Sequence, residues 1–341
     1  MSAPLAARAS GRRIGWKPFA YDDAIPSVRL RARMPSDALA RAGFRTGIVP
    51  PDGRGDYDCV VFQKCFHERD IELAERLRAR GVKVILDLCD DYLYNPDGDP
   101  RLAERADRVR RMIATADLVT VSTPALASVV PGRTVVVDDG LEVPSLGVTG
   151  RLTRFRARHL RGRRPRTRLV WFGSSGSDKP EFGLIDLGRV MPALEEVNRT
   201  RPVDLTVISD SRERFDEHVG GSALPSRFVP WRAGTFARTF VRHDICILPI
   251  TPNPYTVCKT SNRLRTALGL GVPVVTSSIP SYEEFADWVL FEDWEASIAA
   301  YAEHPDLALR HVEGAREHIT RTYTPARLVE QWCAAIDAAF E

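Results

Sequence analysis

From residue 59 onward, short apolar runs alternate with amphipathic stretches. Cys59-Val60-Val61-Phe62 is rich in β-formers and predicts a strand. Residues 68–80 place Ile71, Ala74 and Leu77 at helical spacing, and Gly81 stops that helix. Residues 82–86 predict the next strand. A helix over 101–116 follows, with Leu102, Ala106, Val109, Met112 and Ile113 on one face. Then come a strand over 118–121, a short helix opened by Ser122-Thr123-Pro124, and a strand over 134–137. The pattern restarts further on, with strands over 168–172, 203–208, 245–249 and 272–276. Helices are predicted over 182–197, 236–242 and 260–270, and an amphipathic helix over 325–340 closes the chain. Strand, helix, strand at this spacing predicts βαβ units and a parallel sheet, here twice over: two doubly wound α/β halves in tandem.

Length agrees, since 341 residues exceed the usual size of a single core. A hydrophobic content of 44% and a charged content of 27% are those of an ordinary globular chain. The sequence has no apolar run long enough to span a membrane and no apolar core in its basic first residues, so neither a span nor a secretory signal is expected. Six cysteines lack both a CxxC pair and zinc-ligand spacing, and read as free thiols in a reducing cytoplasm.

The net charge of +3 matters less than its distribution. Arginines at 151, 154, 156, 158, 161, 163, 164, 166 and 168 crowd the stretch between the halves. Residues 151–167 therefore read as an Arg-rich linker between a first domain (1–150) and a second (168–324), with 325–341 as a closing helix. Such a linker is either simply solvated or a contact for the anionic inner face of the membrane. A nucleic-acid partner is not expected, because Phe155 is the one aromatic residue among the arginines.

Ligands of doubly wound sheets bind outside the carboxyl ends of the strands, and four loops there carry candidate chemistry. The loop containing Gly173, Ser174 and Ser175 lets a backbone approach a phosphate, although it could be a plain turn. Lys259, Ser261, Asn262 and Arg263 open the helix over 260–270, where two cations suit a diphosphate. Pro249 to Tyr255 is a rigid polar loop after a strand. Trp231 could stack on a nucleobase or sit in the core. In the first half, Asp87, Asp90 and Asp91 cluster at a strand end, where carboxylates serve as base, sugar ligand or metal ligand.

Taken together, these motifs resemble the GT-B glycosyltransferases, most closely the family 1/4-like group of bacterial polysaccharide and natural-product transferases. The second half carries the resemblance best, in Asp244-Ile245-Cys246-Ile247-Leu248-Pro249 and Gly271-Val272-Pro273-Val274-Val275-Thr276. It implies two Rossmann-like domains facing an interdomain cleft, with the donor domain second and the closing helix crossing back to the first. It further implies a nucleoside-diphosphate sugar as donor, no tightly bound cofactor, and a glycan, lipid-linked or small-molecule acceptor.

Donor contacts would fall to Gly173, Ser174, Ser175, Trp231, Pro249, Tyr255, Lys259, Ser261, Asn262 and Arg263. Acceptor contacts would fall to His67, Asp90 and Tyr92, with Asp90, Asp91, Lys259 and Arg263 catalytic. One departure stands out: where many relatives carry a pair of glutamates, this chain has a residue near Cys258 and Thr266. Cationic stabilisation of the leaving diphosphate needs no metal, so magnesium is not expected. The resemblance also implies transfer with retention, since the group it resembles is mostly retaining; retention would need no acceptor base, whereas inversion would make Asp90 or Asp91 the candidate base. The rival readings are an epimerase of the same fold and a nucleotide-sugar-binding protein without catalysis.

Overall fold

The computed structural model describes residues 11–160 and 165–341. They divide into two compact units. The first runs to Leu141 and takes in Cys258–Thr260 and Thr322–Glu341; the second comprises Glu142–Val257 and Ser261–Arg321.

The first unit is built on six parallel strands: β1 (Arg13–Pro18), β2 (Arg45–Ile48), β3 (Cys59–Gln63), β4 (Lys83–Leu88), β5 (Leu118–Val121) and β6 (Thr134–Val136), in the order β2-β1-β3-β4-β5-β6. Every residue of β3 is buried, as a strand covered on both faces must be. Local rules set the helix starts. Asp99 accepts the N–H groups of Arg101 and Leu102 ahead of the helix Pro100–Thr115, and Thr123 accepts that of Leu126 ahead of Pro124–Val129. The helix Pro325–Ala339 packs Leu328, Trp332 and Ile336 against Ile14, Trp16 and Ile85. Trp332 meets Trp16 edge-on, with ring centroids 4.5 Å apart.

Two of these strands, β1 and β2, precede the first predicted element. Lys17 interrupts the apolar run of β1, yet it is only 6% exposed. Its ammonium lies 2.8 Å from Asp70 Oδ1, an ion pair that makes a lysine acceptable inside the sheet. Between β1 and β2 the chain is helical over 26–41, and its π-helical turn Arg29–Arg33 turns Arg31 inward. Arg31 Nε lies 3.2 Å from Asp87 Oδ2, and its Nη1 lies 3.2 Å from Asp139 Oδ1. Asp87 also accepts from the Thr120 hydroxyl at 2.8 Å.

The second unit repeats the plan with β7 (Thr167–Phe172), β10 (Val203–Ser209), β11 (Ser226–Pro230), β12 (Ile245–Leu248), β13 (Val274–Thr276) and β14 (Leu290–Phe291), all parallel, in the order β11-β10-β7-β12-β13-β14. A small antiparallel hairpin, β8 (Gly176–Asp178) with β9 (Glu181–Gly183), stands apart from that sheet. The core joins Leu169, Trp171, Leu205 and Ile245 to Leu187, Met191 and Leu194 of the helix Leu184–Thr200.

The hairpin occupies the stretch expected as a Gly/Ser loop between the strand at 168–172 and the next helix, which begins at Leu184. A Cβ on Gly176 would lie 1.8 Å from Phe182 O, and one on Gly183 2.5 Å from Ser175 O, so the two glycines let the hairpin strands close up. The Arg-rich stretch departs from expectation: it opens as the helix Gly147–Leu160, grouped with the second unit. Arg161, Arg163 and Arg164 lie outside the described residues. Overall the chain is α/β with two Rossmann-like sheets.

Candidate functional site

In each sheet the strand order reverses at one point, and the loops beyond that point form the natural ligand crevice. In the first unit the reversal lies between β1 and β3, so the loops after Pro18 and Gln63 flank it. In the second it lies between β7 and β12, flanked by the loops that begin at Gly173 and Pro249.

The first crevice is rich in charge. Lys64, directly after β3, adopts a left-handed backbone (φ 55°), which is uncommon for a lysine. Its ammonium sits 4.7 Å from the Phe19 ring centre and 5.3 Å from that of Tyr92. It also lies 3.8 Å from Asp90 Oδ2, and the Tyr92 hydroxyl donates to the same oxygen at 2.9 Å. Asp90 Oδ1 pairs with the ammonium of Lys259. Burial by itself would raise the Asp90 pKa, but Lys259 and Lys64 outweigh it and hold the carboxyl well below the usual carboxylate range. Asp90 is therefore an ionised, doubly neutralised group and a weak proton acceptor.

Lys259 reaches Asp90 because its segment is fastened there, with the Thr123 hydroxyl donating to Cys258 O at 3.0 Å. Asp91 is engaged differently, accepting the N–H groups of Leu93 and Tyr94 at 2.9 and 3.1 Å and so holding a turn. Burial, the largest influence, raises its pKa. His67 is exposed at the start of the helix Glu68–Ala79, and its ring is 6.0 Å from Phe66, which in turn is 5.0 Å from Tyr92. Of the three acceptor candidates, Asp90 and Tyr92 bond directly, and His67 joins them through Phe66.

The second crevice brings two sequence motifs together. Arg263 lies against Gly173: a Cβ there would come within 3.2 Å of Arg263 Nη1 and 3.3 Å of the Trp171 ring. The guanidinium carbon is 5.8 Å from the Trp171 ring centre. Ser209 Oγ donates to Gly173 O at 2.8 Å, and Ser175 N–H donates to Asp210 Oδ1 at 2.7 Å, so the loop is held by its own unit. Burial would raise the Asp210 pKa, but the Ser175 bonds lower it. Ser174 is exposed.

Five donor candidates are buried or half-buried rather than openly exposed. Pro249 and Tyr255 are buried, with the Tyr255 ring 5.3 Å from Phe182. Ser261 is also buried, and the Asn262 side chain accepts from Arg265. Trp231 is half-buried: its backbone N–H donates to Ser209 O at 2.8 Å, and its ring lies 6.4 Å from the Phe236 ring. Lys259 and Arg263, four residues apart, thus face different partners, Asp90 and Gly173.

Lys64, Thr123 and Asp210 were not singled out as site residues from the sequence, although the strand-end rule applied to β3, β5 and β10 would have found them. Among the described residues, no three His, Cys, Asp or Glu side chains are grouped to hold a metal ion.

No family model and no curated relative matches the chain. Solved structures do. TarM superposes with a TM-score of 0.60 at 10% identity, over 83% of this chain and 55% of TarM. A mutant of S. aureus TarM in complex with fondaparinux, alpha-GlcNAc-glycerol and UDP gives 0.58 at 10% identity, with the same coverage. An alpha,alpha-trehalose-phosphate synthase (UDP-forming) from Burkholderia xenovorans, in complex with glucose-6-phosphate, gives 0.55 at 12% identity, over 83% of this chain and 73% of that one. The chain spans just over half the length of TarM. These likenesses establish the fold as GT-B.

Proposed function

We propose that this chain transfers a sugar, of the hexosyl class, from a nucleoside-diphosphate sugar to a glycan, lipid-linked or small-molecule acceptor. The observation that carries the reading is the meeting of Arg263 with the Gly173 loop at the switch point of the second unit. A guanidinium beside a side-chain-free backbone offers two-pronged hydrogen bonding to a diphosphate that can come close. The solved structures with this fold include complexes with UDP and with UDP-2-fluoro glucose, which supports such a donor.

The departing diphosphate gathers negative charge as the sugar bond breaks. Arg263 stabilises that charge, and Lys259 adds a second cation, so no metal is required by the reading. The state of Asp90 favours retention of configuration. A carboxylate neutralised by two lysines is poorly suited to take a proton from an acceptor hydroxyl, whereas it suits the role of anchoring Lys259. Asp90 and Tyr92, with His67 beyond Phe66, remain the proposed acceptor-side groups. Thr266 and the position near Cys258, where relatives carry glutamates, favour as a second reading a protein that binds nucleotide-sugar without turning it over.

Thermal-shift titration with UDP, GDP, CDP and ADP and their sugars, with and without magnesium, tests the donor site. A selective rise in Tm, abolished by Lys259→Ala with Arg263→Ala, is expected. No rise with any of these at millimolar concentration would overturn it. Turnover with an acceptor then separates the transferase from the binder.

A further inference from the structure

At the end of β3 stand two consecutive polar side chains that the described residues do not serve. Gln63 is fully buried, yet neither its amide nitrogen nor its amide oxygen has a hydrogen-bond partner among the described residues. Buried polar groups are rarely left so, and each exception calls for an explanation. Lys64 follows it. Its side chain is only 18% exposed, and its ammonium has no hydrogen-bond acceptor among the described residues. Asp90, 3.8 Å away, is already in use: Oδ1 holds Lys259, and Oδ2 accepts from the Tyr92 hydroxyl. Two ammonium groups thus share one carboxylate. The rings of Phe19 and Tyr92 flank Lys64, and they attract a cation without accepting a strong hydrogen bond.

The backbone supplies an independent observation. Lys64 N–H donates to Asp87 O at 2.9 Å while its φ is 55°. Strain of this kind persists where the surroundings impose it, and it gathers at ligand clamps. The position is also the right one, beside the reversal of strand order between β1 and β3.

An ammonium in this state lacks both acceptor atoms and a full counter-charge. A neutral hydroxyl would serve one N–H and leave the charge shared. A phosphate offers several oxygens together with the missing negative charge, and partial burial strengthens the attraction.

We infer that Lys64 binds a phosphate group in the crevice of the first unit. That this phosphate belongs to the acceptor rests on the transfer reading. A sugar phosphate and a lipid phosphate share the chemistry.

The test is calorimetric titration of the full chain with mannose 6-phosphate, with farnesyl phosphate and with mannose. Binding of at least one phosphate ester is expected, and the tighter of the two names the source. Mannose binds at least tenfold more weakly than its phosphate or not at all. Lys64→Asn tolerates the left-handed backbone and removes the charge, and it is expected to weaken the ester roughly tenfold or more. Lys64→Gly, which relieves the strain as well, does the same, whereas Lys64→Arg keeps part of the affinity. Arg263→Ala leaves ester binding in place, because that guanidinium stands at the other crevice. The inference is overturned if neither ester binds at millimolar concentration, or if both Lys64→Asn and Lys64→Gly bind it undiminished. It is equally overturned if Arg263→Ala alone abolishes binding. A parallel titration with UDP keeps the two readings apart. UDP binding without ester binding overturns the phosphate site alone. Ester binding that depends on Lys64, without UDP binding, supports the site and counts only against the transfer reading.

Discussion

Lys259 and Asp90, 169 positions apart in the chain, form an ion pair. The lysine shortly precedes, in sequence, the helix that carries Arg263, yet it belongs to the first unit together with Asp90 and Thr123. On the proposed reading, Asp90 sets where a leaving-group cation stands.

Kinetics of the pair test this. Lys259→Ala is expected to lower kcat/KM by on the order of 10²-fold, as loss of a charge-stabilising donor does. Asp90→Asn, which frees the lysine without removing it, costs less. The double variant is no worse than Lys259→Ala, because the two act as one unit. Additive losses would show that they act separately. The sign for pH follows from the depressed Asp90 pKa. Its stabilisation is complete above about pH 4 and is lost only as pH falls through the lower folded value. Asp90 should therefore not set the acidic limb of the rate profile.

Gly173→Ala tests the donor crevice. The backbone there has φ 155°. The new Cβ would press on Arg263 and Trp171. Nucleoside-diphosphate affinity is expected to fall roughly tenfold in Kd, read by calorimetry. An unchanged Kd would remove the Gly173 loop from the binding site.

Arg31 is fully buried between Asp87 and Asp139. Arg31→Met leaves both carboxylates uncompensated and is expected to cost about 3–5 kcal/mol in urea unfolding. Adding Asp87→Leu should recover part of that loss. A loss under about 1 kcal/mol for the single variant would mean that the carboxylates find water or protons easily.

His243 is buried, with Nδ1 3.0 Å from Phe240 O. Burial, ahead of that hydrogen bond, pushes its pKa down to about 4. The unfolded chain then binds the proton more readily than the folded one. Stability is accordingly lost as pH falls from about 6.5 to about 4, by roughly 3 kcal/mol. Urea midpoints across that range should fall steeply for the parent and much less for His243→Gln.

Much of the fold was legible because its signals are local. A short apolar run rich in β-formers, such as Cys59 to Phe62, reads as a strand covered on both faces. The Thr123-Pro124 and Asp99-Pro100 pairs announce helix starts whatever surrounds them. β1 was not legible, since Lys17 is tolerated in it only through Asp70, 53 residues away. The hairpin of β8 and β9 escaped because three-residue strands carry no periodicity, and only the close approach of Gly176 to Gly183 reveals it.

For the candidate site, the sequence by itself pointed to the loops that are proposed to carry the chemistry. Once two parallel sheets are expected, the residues after each strand are the ones that meet a ligand. What those residues touch was decided by tertiary structure alone. That Arg263 faces Gly173 follows from the placing of β12 beside β7. That Lys259 faces Asp90 follows from the fastening of Cys258–Thr260 to Thr123. A charge seeks whichever opposite charge the strand order brings within a few ångströms. That order is an outcome of packing and leaves no mark on the residues near either partner.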